Sequence, residues 1–193
     1  IMAVSMLTAC GEGGKKEEDP SSSEVTTVSG TAEALNSVLS RNEGVVEFKS
    51  DSELDKNLEA YYRVRPIKAD EWTLQKTEKI IEAVDADFTT YVDVINTNTT
   101  TFTNVLKNNT TNFNGSVALV GMFNTTRYTQ AEALKYMGTY IDNIDFAEDT
   151  NNKTDGDVFT YDGTASVLEV ESEKGAASVW VVVAVIDKDY AAI

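Results

Sequence analysis

Histidine is absent from these 193 residues, and cysteine occurs once, as Cys10. Without imidazole the chain lacks the usual general base and the commonest transition-metal ligand, and Ser-His-Asp and Cys-His nucleophile systems are excluded. A single thiol can neither close an intrachain disulfide nor build a thiolate zinc site. Catalysis would fall to carboxylates, Lys, Tyr, Ser or Thr, and the chain carries no glycine-rich phosphate loop, dinucleotide fingerprint or nucleophile elbow. The reading is a non-enzymatic protein without a cofactor. Basic residues are scarce as well: 16 stand against 32 acidic ones, a net charge of −16 and a pI near 4.3. Such a surface repels phosphate backbones, so no nucleic-acid partner is expected. It repels anionic headgroups too, so any contact with a membrane needs another cause.

That cause is legible at the amino terminus. Residues 1–9 are uncharged with an apolar bias, far short of the roughly 20 residues that span a bilayer. They end in small residues, as the hydrophobic region of a signal peptide does, and the charged start is not in the chain; 1–9 read as a partial signal peptide. Leu7-Thr8-Ala9-Cys10-Gly11 follows, with the only cysteine directly after the apolar run. The segment resembles the lipobox of bacterial lipoproteins: an aliphatic residue, two small ones, then the cysteine that takes a diacylglyceryl group. The resemblance implies cleavage before Cys10, lipid on its sulfur and an acylated new amino end, which together give stable anchoring that one acyl chain cannot. It places the protein in the cell envelope. Where the host has two membranes, Gly11 resembles the signal for the outer one. The likeness covers these residues alone; the folded part is read without a family.

From Gly11 the chain is Gly-Glu-Gly-Gly-Lys-Lys-Glu-Glu-Asp-Pro-Ser-Ser-Ser-Glu, without one aliphatic or aromatic side chain. Too little apolar area is present to offset the entropy of ordering, so 10–30 are expected to be a lipidated cysteine and a disordered tether. As a random coil of about 20 residues it would reach roughly 25 Å.

Residues 31–193 read as a single α+β domain, N-terminal helices packed on a C-terminal antiparallel hairpin or three-stranded meander. Leu35, Val38 and Leu39 predict a helix over 31–42, and Val45 to Lys49 a strand. Ser50 to Glu53 reads as a capping box opening a helix with Leu54, Leu58, Tyr61 and Tyr62, closed by Pro66. Leu74, Thr77, Ile81, Val84, Phe88, Tyr91 and Ile95 recur at helical spacing and predict a helix over 71–95. Asn and Thr dominate 96–114, which reads as a weaker continuation or as strand and turn. Val117 to Phe123 suits a short buried helix or strand. Thr129 and Glu132 form a second capping box, ahead of Leu134, Met137, Ile141 and Ile144 on one face. Beyond 157 the period becomes two, and Val179 to Ile186, apolar throughout, predicts a central strand buried on both faces.

The loop with Asp149, Asn151, Asp155 and Asp157 has the alternating oxygens of a calcium site, but Lys153 stands where a ligand belongs and no Glu closes it. An acidic surface loop is the commoner explanation, and no metal is assigned. Asp85 with Asp87, or Asp142 with Asp145 and Glu148, could pair as in a glycosidase. Among 32 acidic residues such pairs arise by chance, and these fall on helix faces expected to be solvated. Tyr61, Tyr62 and Trp72 could form an aromatic binding patch, though such a cluster more often packs two helices together. The Asn/Thr tract could line a groove for a carbohydrate or peptide, or pair helices between copies. The leading expectation is a membrane-anchored envelope lipoprotein presenting a binding or interaction domain for a protein or carbohydrate. Its alternatives are a self-assembling envelope component, with helices and the long apolar strand shared between copies, and a carboxylate hydrolase.

Overall fold

The computed structural model describes residues 30–64, 91–94, 100–107, 114–147, 157–171 and 178–192. Helices are α1 (Thr31–Asn36), α2 (Ser52–Val64), α3 (Thr100–Lys107) and α4 (Gln130–Asp142); strands are β1 (Val46–Ser50), β2 (Tyr91–Val94), β3 (Gly115–Asn124), β4 (Asp157–Val170) and β5 (Val179–Ala192). The strands form one five-stranded sheet in the order β1-β4-β5-β3-β2. β4 and β5 make the expected antiparallel hairpin, but β3 pairs antiparallel with the other edge of β5, and β1 and β2 add in parallel outside. The class is α+β as expected. The meander is corrected to a mixed sheet, because strands lying between the helices in sequence join its margins.

β5 is the central strand. Val182, Ala184 and Ile186 pack on one side with Leu35 of α1, Phe102 and Leu106 of α3, and Leu134, Met137 and Ile141 of α4. Val181, Val183 and Val185 pack on the other with Leu54, Leu58 and Tyr62 of α2. An uninterrupted apolar run is what a strand covered on both faces requires, since alternate residues point to opposite sides. Each Val or Ile buried this way contributes roughly 1.5–3 kcal/mol.

Several elements differ from the sequence reading. α1 stops at Asn36, well before 42, because Asn36 and Asn42 spend their side chains elsewhere: Asn36 on the backbone of Phe48, and Asn42 on the carbonyls of Ile141, Asp142 and Ile144. Ser50 does not cap α2; the Asp51 carboxylate accepts from the Glu53 and Leu54 N–H groups instead. Tyr91 to Val94 is strand, in register with Val117 to Val120, rather than the end of a helix. Two of its four residues are valines, which a strand suits better than a helix interior. The remainder of the predicted 71–95 helix lies outside the described residues. Within the Asn/Thr tract, Thr100–Lys107 is helical, anchored by fully buried Phe102 and Leu106. The capping box at Thr129 is present in both directions, with Glu132 N–H donating to the Thr129 hydroxyl and the Glu132 carboxylate accepting from Thr129 N–H.

Candidate interaction surface

The β3–α4 corner is the part of the surface best organised for contact. β3 ends at Asn124, whose side-chain oxygen accepts from the Thr126 N–H and hydroxyl, while its carbonyl accepts from the Arg127 and Tyr128 N–H groups. Thr125 donates twice to the Ser178 carbonyl, tying the corner to the start of β5. The Trp180 indole N–H donates to the Tyr128 carbonyl at 3.1 Å. The Thr129 cap then starts α4, and its N–H and hydroxyl hold the Glu132 carboxyl below its usual value. Backbone and side-chain bonds thus hold the corner in place, and a surface held this way would have little ordering cost on binding.

On this frame Phe123, buried, meets the rings of Tyr128 and Tyr136 edge-on, with centroids 5.4 and 5.6 Å away. Tyr128 is 36% exposed and Tyr136 43%; among the described residues they are the large apolar side chains most open to solvent. Their chain neighbours Arg127 and Lys135 are exposed too. Tyrosine and arginine together are the side chains most enriched in protein contact surfaces. Sequence reasoning passed over this pair. The available signal was Tyr136, an aromatic lying off the Leu134-Met137-Ile141 stripe of its own helix.

The residues singled out from sequence fare differently. Tyr62 is buried against the sheet, and Tyr61 meets it edge-on at 5.1 Å. Burial, and then the neighbouring Tyr61, pushes the Tyr62 phenol well above its usual range. The pair is core packing of α2; Trp72 lies outside the described residues. Of the calcium-loop residues, Asp149, Asn151 and Asp155 also lie outside them, and Asp157 opens β4 opposite Ala192. Among the described residues no group of three or more Asp, Glu, Cys or His is placed to hold a metal ion. Cys10, Asp85, Asp87 and Glu148 lie outside the described residues.

Asp142 is not on a solvated face. It is 8% exposed, and its carboxylate accepts from the Arg41 N–H at 2.7 Å, the Asn42 N–H at 3.0 Å and the Ser40 hydroxyl at 3.0 Å. Burial disfavours its charge, but the hydrogen bonds from Asn42, Arg41 and Ser40 outweigh it and hold the carboxyl below its usual value. Asp145 is paired at the surface with Arg41 and Lys107, and the Arg41 and Lys107 hydrogen bonds lower its carboxyl too. Of this candidate group, Asp142 therefore serves the fold, while Asp145 is an exposed carboxylate held in surface ion pairs.

The buried ammonium of Lys188, on β5, donates to the Val105 carbonyl at 2.9 Å and lies 4.4 Å over the Phe159 ring. Burial lowers its pKa. Next to it the Tyr161 hydroxyl donates to the Ala147 carbonyl at 2.9 Å, and burial pushes that phenol up to about 12. A cation on the last carbonyls of a helix complements the negative end of its dipole, so this node fastens the end of α3.

Comparison with protein-family models, with curated proteins and with solved structures found no match.

Proposed function

We propose that this protein is a bacterial cell-envelope lipoprotein, cut before Cys10 and anchored by lipid on it. Beyond a polar lead it presents a non-enzymatic domain that binds a protein partner through the Tyr128–Tyr136 corner. The observation that carries the reading is Leu7-Thr8-Ala9-Cys10-Gly11, where the only cysteine of the chain closes an apolar run and opens a polar stretch. Among the described residues no helix is long and apolar enough to cross a membrane. The corner supports the binding half of the reading, being hydrogen-bonded in place, aromatic and flanked by Arg127 and Lys135.

Assembly from copies sharing the long apolar strand has less support. β5 is paired along both edges within its own chain, and Phe102 and Leu106 of the Asn/Thr tract face their own core.

In cells, Cys10→Ser should move the protein from the membrane pellet to the soluble fraction. Retention in the pellet would remove the lipid anchor from the account. A benzophenone side chain at position 136 should cross-link one discrete protein that a probe at exposed Glu169 does not capture; equal labelling from both would remove the corner as the contact surface.

A further inference from the structure

β1 is a margin of the sheet, paired on one side with β4. A free margin is a row of unpaired N–H and C=O groups that can add a strand from another chain. Here the middle of the row is occupied. The Asn36 carboxamide donates to the Phe48 carbonyl at 2.8 Å and accepts from the Phe48 N–H at 2.8 Å. In a strand both groups of one residue point the same way, so this pair faces outward, away from β4. Two residues earlier, the Val46 N–H donates to the Asn42 carbonyl at 3.4 Å. The segment between α1 and β1 therefore folds back over the margin of its own strand, and one amide side chain takes the place of a neighbouring strand.

We propose that Asn36 guards this margin, and that the strand it keeps out is β1 of a second copy of the chain. The margin is self-complementary. An antiparallel pair centred on Phe48 lets the two copies exchange both Phe48 hydrogen bonds, and it sets Glu47 of each copy against Lys49 of the other. Opposite charges across strands favour pairing. Both side chains are exposed and on one face of the sheet. A two-fold arrangement of this kind closes on itself as a dimer. The inference does not depend on lipid at Cys10 or on the corner at Tyr128.

The test uses the full chain carrying Cys10→Ser, followed by sedimentation velocity over a range of concentrations. With Asn36 in place the protein sediments as a monomer. Asn36→Ala gives a concentration-dependent species of doubled mass. Adding Glu47→Lys returns it to monomer, since that change sets like charges across the new pair, the introduced lysine of each copy against Lys49 of the other, while the Lys49–Asp162 bond at 2.8 Å within each copy is left in place. A natively folded Asn36→Ala that stays monomeric overturns the proposal, as does a dimer that Glu47→Lys leaves intact. Should Asn36→Ala fail to fold, hydrogen exchange on the unmutated margin decides: the Phe48 amide is protected like the inner ladder of β4 if Asn36 holds it, and exchange at the rate of an exposed loop amide overturns the guard.

Discussion

Phe102→Ala lowers the free energy of unfolding by about 3–5 kcal/mol, the usual cost of emptying a core aromatic site. Phe102 is fully buried and belongs to the cluster of α1, α3, α4 and the sheet. Its helix is Thr-Thr-Phe-Thr-Asn-Val-Leu-Lys; three Thr and one Asn among eight residues are poor helix formers. What holds α3 is tertiary: Phe102 and Leu106 in the core, Lys188 and the Ala147 N–H on its final carbonyls. Removing the ring therefore loses apolar burial and loosens the helix at once. Urea denaturation should show the midpoint fall with the slope little changed. A loss below about 1 kcal/mol, within the range of surface substitutions and small core trims, would mean that Phe102 is not a core anchor.

Asp142→Ala costs about 2–4 kcal/mol, because three donors that converge on one carboxylate lose their acceptor and the Asn42 N–H is left buried. The carboxylate and the Asn42 amide together lock the turn before β1 onto the end of α4. The pH dependence has a definite sign. The native carboxyl titrates below 3.8, its value in the unfolded chain. Above 3.8 both states are ionised and the stabilisation is complete; it is lost as pH falls from 3.8 through the lower native value. Wild-type stability should therefore drop more steeply across that acid window than stability of Asp142→Asn, which keeps one acceptor oxygen and has no proton to gain. Parallel acid limbs for the two proteins would contradict the assignment.

Elements specified by local chemistry were legible in the sequence. Thr129 and Glu132 marked the start of α4, and the run from Val179 to Ile186 announced a strand covered on both sides. Elements decided by distant partners were not. Tyr91 to Val94 continues a helical rhythm, yet the same residues suit a strand, and pairing with β3 decides between the two. Asn36 and Asn42 lie where an apolar stripe would extend α1, but each side chain gains more from bonds to Phe48 and to the end of α4 than from another helical turn. Asp142 reads as one more acid among many, and only its three donors, about a hundred residues away in sequence, mark it as buried. The candidate surface was half legible: the cap that frames it was, whereas the convergence of Tyr128 and Tyr136 on Phe123 depends on where β3 stops.

The address of the molecule rests on the chemistry of a single sulfur, and mass spectrometry of the amino-terminal peptide from membrane-fraction protein tests it most directly. The account predicts a chain that begins at Cys10 and carries a diacylglyceryl thioether with an acylated amino end. An unmodified thiol at Cys10, in protein that still retains residues 1–9, would contradict it.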